Sequence, residues 1–267
     1  MTPQATDEFT ALTLQHEGAY AIVTLNRPER MNALSRQLLI EIGQVFRHLS
    51  SDKSTRVVIL TGAGEKAFCA GADLKERQGM SENDVRGLLR LYRESFGAID
   101  RCPKPVVAAI NGVALGGGFE VALSCDLRVA ASTAIVGLPE TSLAIIPGAG
   151  GTQRLSRLIG PGRAKELILL AKKCDAAQAL ALGLLTAVAP AGQPVLEAAK
   201  ELSASLASGA PIAFAAAMEA IDLGFERDFD SGLDLEQLCY ERTLVSADRR
   251  EALAAFVEKR KANYKGE

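Results

Sequence analysis

Tryptophan is absent from the 267 residues, and histidine occurs only twice, at His16 and His48. Neither histidine sits in a Gly-rich turn or beside another residue of catalytic type. That argues against Ser-His-Asp and Cys-His mechanisms and excludes His-rich metal sites, so no metal is expected. The five cysteines, Cys69, Cys102, Cys125, Cys174 and Cys239, are scattered and form no CxxC pair. They read as reduced, buried, small apolar residues of a cytoplasmic protein, not as a disulfide or zinc framework. No apolar run is long enough to span a bilayer. Met1 to Thr10 lacks the basic and apolar regions of a secretory signal, and it lacks an Arg-rich transit pattern. The net charge of −2 gives no global basic field to attract nucleic acid or an anionic membrane. A local basic cluster, Lys259, Arg260, Lys261 and Lys265, closes the chain. What remains to carry chemistry are carboxylates, backbone amides, lysines and arginines.

What is present is a large apolar fraction, 48%, with 23% charged residues, enough for a sizeable core in a globular chain. Apolar and β-branched runs predict strands at Ala21–Leu25, Arg56–Leu60, Pro105–Ile110 and Leu127–Ala131, with a weaker one at Thr186–Val188. Helical spacing predicts helices at Ser35–Leu49 and Ser81–Ile99, each opened by a serine cap. Alternation of the two indicates an α/β fold. After about residue 195 strand signals stop and Ala-rich helices take over, so the chain divides into an α/β core, 1–195, and a helical C-terminal section, 196–267. The core contains an echo. Val57–Leu60 leads through a turn to Ala70-Gly71-Ala72-Asp73, and Val106–Ile110 leads through Asn111-Gly112 to Leu115-Gly116-Gly117-Gly118. Repeated strand–turn–helix units suggest a stacked or spiral architecture.

Those two small-residue segments let a ligand approach backbone amides closely. Two such segments can aim two N–H groups at one oxygen, as an oxyanion hole requires, or the glycines can serve only turns and packing. Glu120 follows the second segment among Phe119, Val121, Ala122 and Leu123. A carboxyl in such surroundings is costly unless paired or protonated, and its raised pKa suits acid–base work. Glu140, after Gly137-Leu138-Pro139, is similar, and a strand returning between the two acids can bring both to one site. The alternative is two unrelated acids, one of them a helix cap. Pro147-Gly148-Ala149-Gly150-Gly151-Thr152-Gln153-Arg154 can bind a phosphate or shape a pocket wall. The wall is favoured because no P-loop lysine follows. Gly62-Ala63-Gly64-Glu65-Lys66-Ala67 matches a GxGxxA dinucleotide fingerprint, but Phe68-Cys69-Ala70-Gly71 follows in place of an amphipathic helix, and no strand-ending acid lies about 20 residues on.

Longer stretches resemble a known family. Lys66-Ala67-Phe68-Cys69-Ala70-Gly71-Ala72-Asp73-Leu74-Lys75-Glu76, Asn111-Gly112-Val113-Ala114-Leu115-Gly116-Gly117-Gly118-Phe119-Glu120, and Pro139-Glu140 with Ile146–Arg154 are similar, in order, to the signatures of the enoyl-CoA hydratase/isomerase (crotonase) family. Ala255–Lys261 resembles its closing helix. The resemblance implies a spiral of ββα units with a helical C-terminal section that builds homotrimers, usually paired into homohexamers. It implies an oxyanion hole from the amides of Ala72 and Gly117, and Glu120 and Glu140 as the acid–base pair. It places coenzyme A, part of the thioester substrate rather than a cofactor, at Ala33, Asp73, Leu74 and Lys75, with Phe256 and Lys259 reaching a neighbouring subunit's ligand. It implies hydration of a short-chain or branched 2-enoyl-CoA. The alternatives are isomerisation on the same fold and an RNA-binding homologue. Leu74-Lys75-Glu76-Arg77, Asp126–Ser132 and Tyr264–Glu267 most resemble the 3-methylglutaconyl-CoA hydratase branch, where Ser142 stands at a position often held by lysine. A second acyl carboxylate needs a cation, and Lys75 and Arg77 are placed to cover the pocket, or to meet CoA phosphate and solvent. RNA binding is not carried over, because the helix Ser35–Leu49 offers only Arg36, Arg47 and His48 as basic residues.

Overall fold

Three times in succession a buried strand is followed by a short strand and then by a turn of helix. In the computed structural model, which describes residues 9–267, the strands in chain order are β1 (Leu12–Glu17), β2 (Tyr20–Leu25), β3 (Val57–Gly62), β4 (Ala67–Cys69), β5 (Val106–Ile110), β6 (Val113–Leu115), β7 (Leu127–Ala130), β8 (Ile135–Gly137), β9 (Lys173–Asp175) and β10 (Ala187–Val188). One sheet runs β1-β2-β3-β5-β7-β10 and the other β4-β6-β8-β9. Pairing is parallel from β2 through β3, β5 and β7 to β10, and from β4 through β6 to β8. The repeats are therefore β3–β4, β5–β6 and β7–β8, each adding one strand to both sheets. This is the crotonase-type spiral that the sequence resemblance implies. The echo read from the sequence covered two of its turns. The third, β7 to β8, ends at the 3-10 helix Glu140–Leu143.

Parallel strands covered on both faces need no polar side. In β3, Val58 and Leu60 join the main core, while Val57 and Ile59 join a second cluster on the opposite face. β5 alternates in the same way, with Val106, Ala108 and Ile110 against Val107 and Ala109. The main core is closed by the helices Arg36–Ser51 and Glu82–Asp100. The first is capped by Ser35, whose side chain accepts from the Leu38 amide at 3.2 Å. The second begins with a capping box between Ser81 and Asp84. Buried Glu41 ties the first strand down by accepting from the backbone amides of Thr10, Ala11 and Leu12. The helix Val195–Leu202 covers the second face, so a division at 195/196 falls within a helix that packs on the core sheet.

Beyond Val188 the described chain holds no strand. Pro211–Gly224 and Phe229–Leu244 pair as a hairpin around Ala216, Leu235 and Cys239, and Ala247–Glu258 follows. These helices leave Ile221, Phe225, Phe229, Leu238, Val245, Phe256 and Val257 each more than two-thirds exposed. All five cysteines are free and buried. No helix among the described residues is long and apolar enough to cross a membrane.

Candidate active site

The ends of the three short strands converge. After β4, Gly71 takes φ +103°, and a Cβ there would lie 2.8 Å from the Leu115 carbonyl oxygen, so this position requires glycine. That close approach sets the first repeat's exit against the second's. A Cβ on Gly71 would be 3.6 Å from the Gly117 nitrogen, and one on Gly117 would be 3.8 Å from the Ala72 nitrogen. Leu34 donates its amide to the Gly71 carbonyl at 2.8 Å and accepts from Asp73 at 3.1 Å. This bridge holds Ala72 in place while leaving its own N–H without an acceptor among the described residues. The Gly117 N–H, first in the helix Gly117–Leu123, likewise has no acceptor among the described residues. Two unpaired donors side by side can hold one oxyanion.

Glu120, 2% exposed, lies on that helix. Its Oε1 accepts from the amides of Ala149 at 2.8 Å and Gly151 at 2.7 Å. The Gly-rich segment 147–154 is thus a pocket wall whose amides grip a carboxylate of the chain itself. A Cβ on Gly151 would stand 2.8 Å from Glu120 Oε1, which explains the glycine. Burial raises the Glu120 carboxyl above its ordinary value, and the two amides and the Arg154 charge oppose that shift. Arg154 is itself held by the Asp100 carboxylate. Glu140 enters from the third repeat. Its Oε1 would be 3.0 Å from a Cβ on Gly116, a residue at φ +54°, ψ −129°. Its Oε2 is buried with no hydrogen-bond partner among the described residues. Burial, reinforced by the Glu120 charge, pushes Glu140 up to about 7. Burial thus favours the proton on both acids, and at Glu120 two fixed amide dipoles partly offset it, whereas Glu140 Oε2 has no such partner among the described residues.

The remaining expected residues divide. Ala33 is buried beside this region, its carbonyl accepting from Arg27 at 2.6 Å. Asp73 caps the helix Leu74–Arg77 and pairs with Arg27 at 2.9 Å, so its carboxylate is already occupied within the protein. Leu74 and Lys75 are exposed on the short helix Leu74–Arg77. Phe256, 85% exposed, and Lys259 lie on the last helix and at its end, turned away from their own core. The segment Gly62–Ala67 links β3 to β4 directly, without a helix, which removes the dinucleotide reading. Sequence reasoning missed the Ala149 and Gly151 amides as partners of Glu120. It also missed Tyr92, whose ring edge would be 3.7 Å from a Cβ on Gly117. An aromatic on the apolar face of a helix carries no sign that it borders a cleft.

A spiral that brings two free amides and two carboxyls to one turn defines an enzyme-like site suited to proton transfer beside a carbonyl. The chain belongs to the enoyl-CoA hydratase/isomerase family, whose sequence profile matches residues 15–267. The crystal structure of an enoyl-CoA hydratase from Bacillus anthracis superposes with a TM-score of 0.94 at 48% identity, covering 97% of this chain and 100% of that one. A short-chain-enoyl-CoA hydratase from Clostridium acetobutylicum is 42% identical over 254 residues, 95% of this chain and 97% of that protein. The mitochondrial methylglutaconyl-CoA hydratase of Mus musculus is 44% identical over 265 residues, 98% of this chain and 84% of that protein.

Proposed function

We propose that the protein is an enoyl-CoA hydratase that adds water reversibly to a short-chain or branched 2-enoyl-CoA, in fatty acid or leucine degradation. The amides of Ala72 and Gly117 receive the thioester oxygen. As electron density moves onto that oxygen, the β-carbon becomes electrophilic. Glu120 takes a proton from water as the water oxygen bonds to the β-carbon, and Glu140 delivers its proton to the α-carbon. Each proton lost by one group is gained by another, no electron leaves the system, and neither metal nor redox cofactor is needed. The observation that carries this reading is the division of labour between the acids: Glu120 held by two amides, Glu140 with an unpaired buried oxygen. An isomerase can work with one acid shuttling a proton, whereas hydration uses two.

Among substrates, 3-methylglutaconyl-CoA is the leading candidate, supported by likeness to the mouse methylglutaconyl-CoA hydratase. The exposed C-terminal faces support a homotrimer or a homohexamer, in which Phe256 and Lys259 reach the CoA of a neighbouring subunit. Lys75 at the rim serves the CoA phosphates, and the reduced buried thiols fit a cytoplasmic setting. The deciding assay follows loss of the conjugated double bond of crotonyl-CoA by absorbance. Glu120→Gln and Glu140→Gln should each lower kcat by roughly 10²–10⁴-fold. Near-wild-type turnover in either folded variant would refute the paired-acid mechanism. Conversion of 3-enoyl-CoA without hydration would make the protein an isomerase. Salt-resistant binding to AU-rich RNA without hydration would make it a binding protein on an enzyme fold.

A further inference from the structure

The Gly-rich segment that grips Glu120 is itself held. The Ala149 and Gly151 amides both donate to Glu120 Oε1, at 2.8 and 2.7 Å, and the peptide between them carries the Ala149 carbonyl. That carbonyl accepts from the Arg154 guanidinium at 2.9 Å. Arg154 Nε donates to Asp100 Oδ1 at 3.1 Å, and a second guanidinium nitrogen meets Oδ2. Asp100 is thus linked to Glu120 by consecutive contacts: carboxylate to guanidinium, guanidinium to carbonyl, and the amides of that same segment to the catalytic carboxyl. Gly150 completes the fit. At φ +103° it lets the segment turn, and a Cβ there would collide with the guanidinium.

Asp100 is poorly placed for any purpose of its own. It is the last residue of the helix Glu82–Asp100, where the helix dipole disfavours an anion. Its charge also raises the carboxyls of Asp126 and Asp222. Pairing with Arg154 does not offset this through stability: Asp100 is exposed, Arg154 is half-buried, and ion pairs near the surface contribute little. What a bidentate arginine–carboxylate pair does supply is orientation. Here the oriented group is the peptide between the two amides that hold Glu120. The Arg154 charge also acts on Glu120 itself, favouring its carboxylate.

We infer that Asp100 and Arg154 are positioning residues for Glu120, fixing the segment Ala149–Gly151 and with it the carboxyl that takes the proton from water. The inference deepens the proposed hydration and rests on it for its kinetic test. Arg154→Met should lower kcat for crotonyl-CoA by about tenfold to a hundredfold, the size of a small misplacement, with KM little changed. The acid limb of its kcat/KM profile should move to higher pH, because a charge favouring the Glu120 carboxylate is gone. Arg154→Lys should return the limb towards its wild-type position but restore kcat only in part, since an ammonium lacks the planar fork. Asp100→Asn should lower kcat less than Arg154→Met does. It should add little in the double variant, because Asp100 acts through Arg154.

The other titratable groups around Glu120 are Glu140, at about 7, and two that burial keeps protonated. These are the Tyr92 phenol and the thiol of Cys69, beside Gly118 and pushed up to about 12. Infrared difference spectra of each protein against its Glu120→Gln counterpart separate the Glu120 carboxyl from these, and from Asp126 at about 6. They need no turnover, and they should show Glu120 titrating at higher pH in Arg154→Met than in the wild type. An acid limb and an infrared titration both unmoved in that variant overturn the inference, whatever happens to kcat or melting temperature. So does an Asp100→Asn loss that multiplies in full with that of Arg154→Met. Asp100→Asn, at an exposed position, gives the reading by itself if Arg154→Met does not fold: wild-type kcat there overturns the inference. Absence of hydration in the wild type would instead strike the hydratase reading, while the infrared titration would still decide whether Arg154 acts on Glu120.

Discussion

Every residue of β3 and β5 is buried, whereas the hairpin Pro211–Gly224 and Phe229–Leu244 buries only Ala216, Leu235 and Cys239. In the spiral each strand has a hydrogen-bonded neighbour, and the two acids and two amides come from one chain. The C-terminal helices are held together but not covered. Phe225, Phe229, Leu238 and Val245 present side chains that a lone monomer would expose to water. The difference teaches that the acids and amides of the site are held within one chain, while the C-terminal helices leave apolar faces that a partner subunit is proposed to cover.

The sharpest way to break this comparison is inside the spiral. Gly117→Pro removes one of the two proposed oxyanion donors, at the first residue of a helix, where proline is tolerated. It should lower kcat by about 10²–10³-fold with the fold retained by circular dichroism. Normal turnover in that folded variant would remove the oxyanion role. Next come the outer helices. Phe229→Glu with Leu238→Glu should shift sedimentation from trimer or hexamer towards monomer, since buried unpaired carboxylates are prohibitive at an interface. If the interface is not there, the same charges sit harmlessly in water and sedimentation is unchanged.

A third test uses pH. Glu140 must be protonated to donate, and its carboxyl titrates at about 7. Hydration kcat/KM should therefore fall as pH rises through 7, approaching tenfold per unit. Because this carboxyl is raised in the folded protein, its contribution to stability is fully present below the ordinary value of 4.5. That contribution is lost as pH rises to about 7. Glu140→Gln should accordingly flatten the dependence of melting temperature on pH over that window. A flat wild-type profile would show that Glu140 titrates elsewhere. The smallest effect expected is that of Phe256→Ala. An 85% exposed side chain contributes little to its own subunit, so stability should stay within about 0.5 kcal/mol. KM for crotonyl-CoA should nevertheless rise several-fold if the ring packs on a neighbour's CoA.

The sequence by itself determined the long elements. β3 and β5 were legible because strands covered on both faces carry apolar runs, and β7 because Leu127, Val129 and Ala130 surround a single Arg128. The helices were legible because Ser35 and Ser81 mark their starts and apolar spacing marks their buried faces. The small-residue segments and the two acids were legible as motifs. Tertiary structure alone decided the rest. β4, β6 and β8 have three residues each, too few for any periodicity to register, yet they form the second sheet and aim the site. Which acid is gripped by backbone amides depends on residues 29 and 31 positions beyond Glu120, a distance over which local pattern says nothing. Tyr92 reads as one more core aromatic until its ring edge is found beside Gly117 and its hydroxyl without a partner among the described residues. Periodicity records which side of an element is buried. It does not record whether that side meets other side chains or a cleft, because both are equally dry.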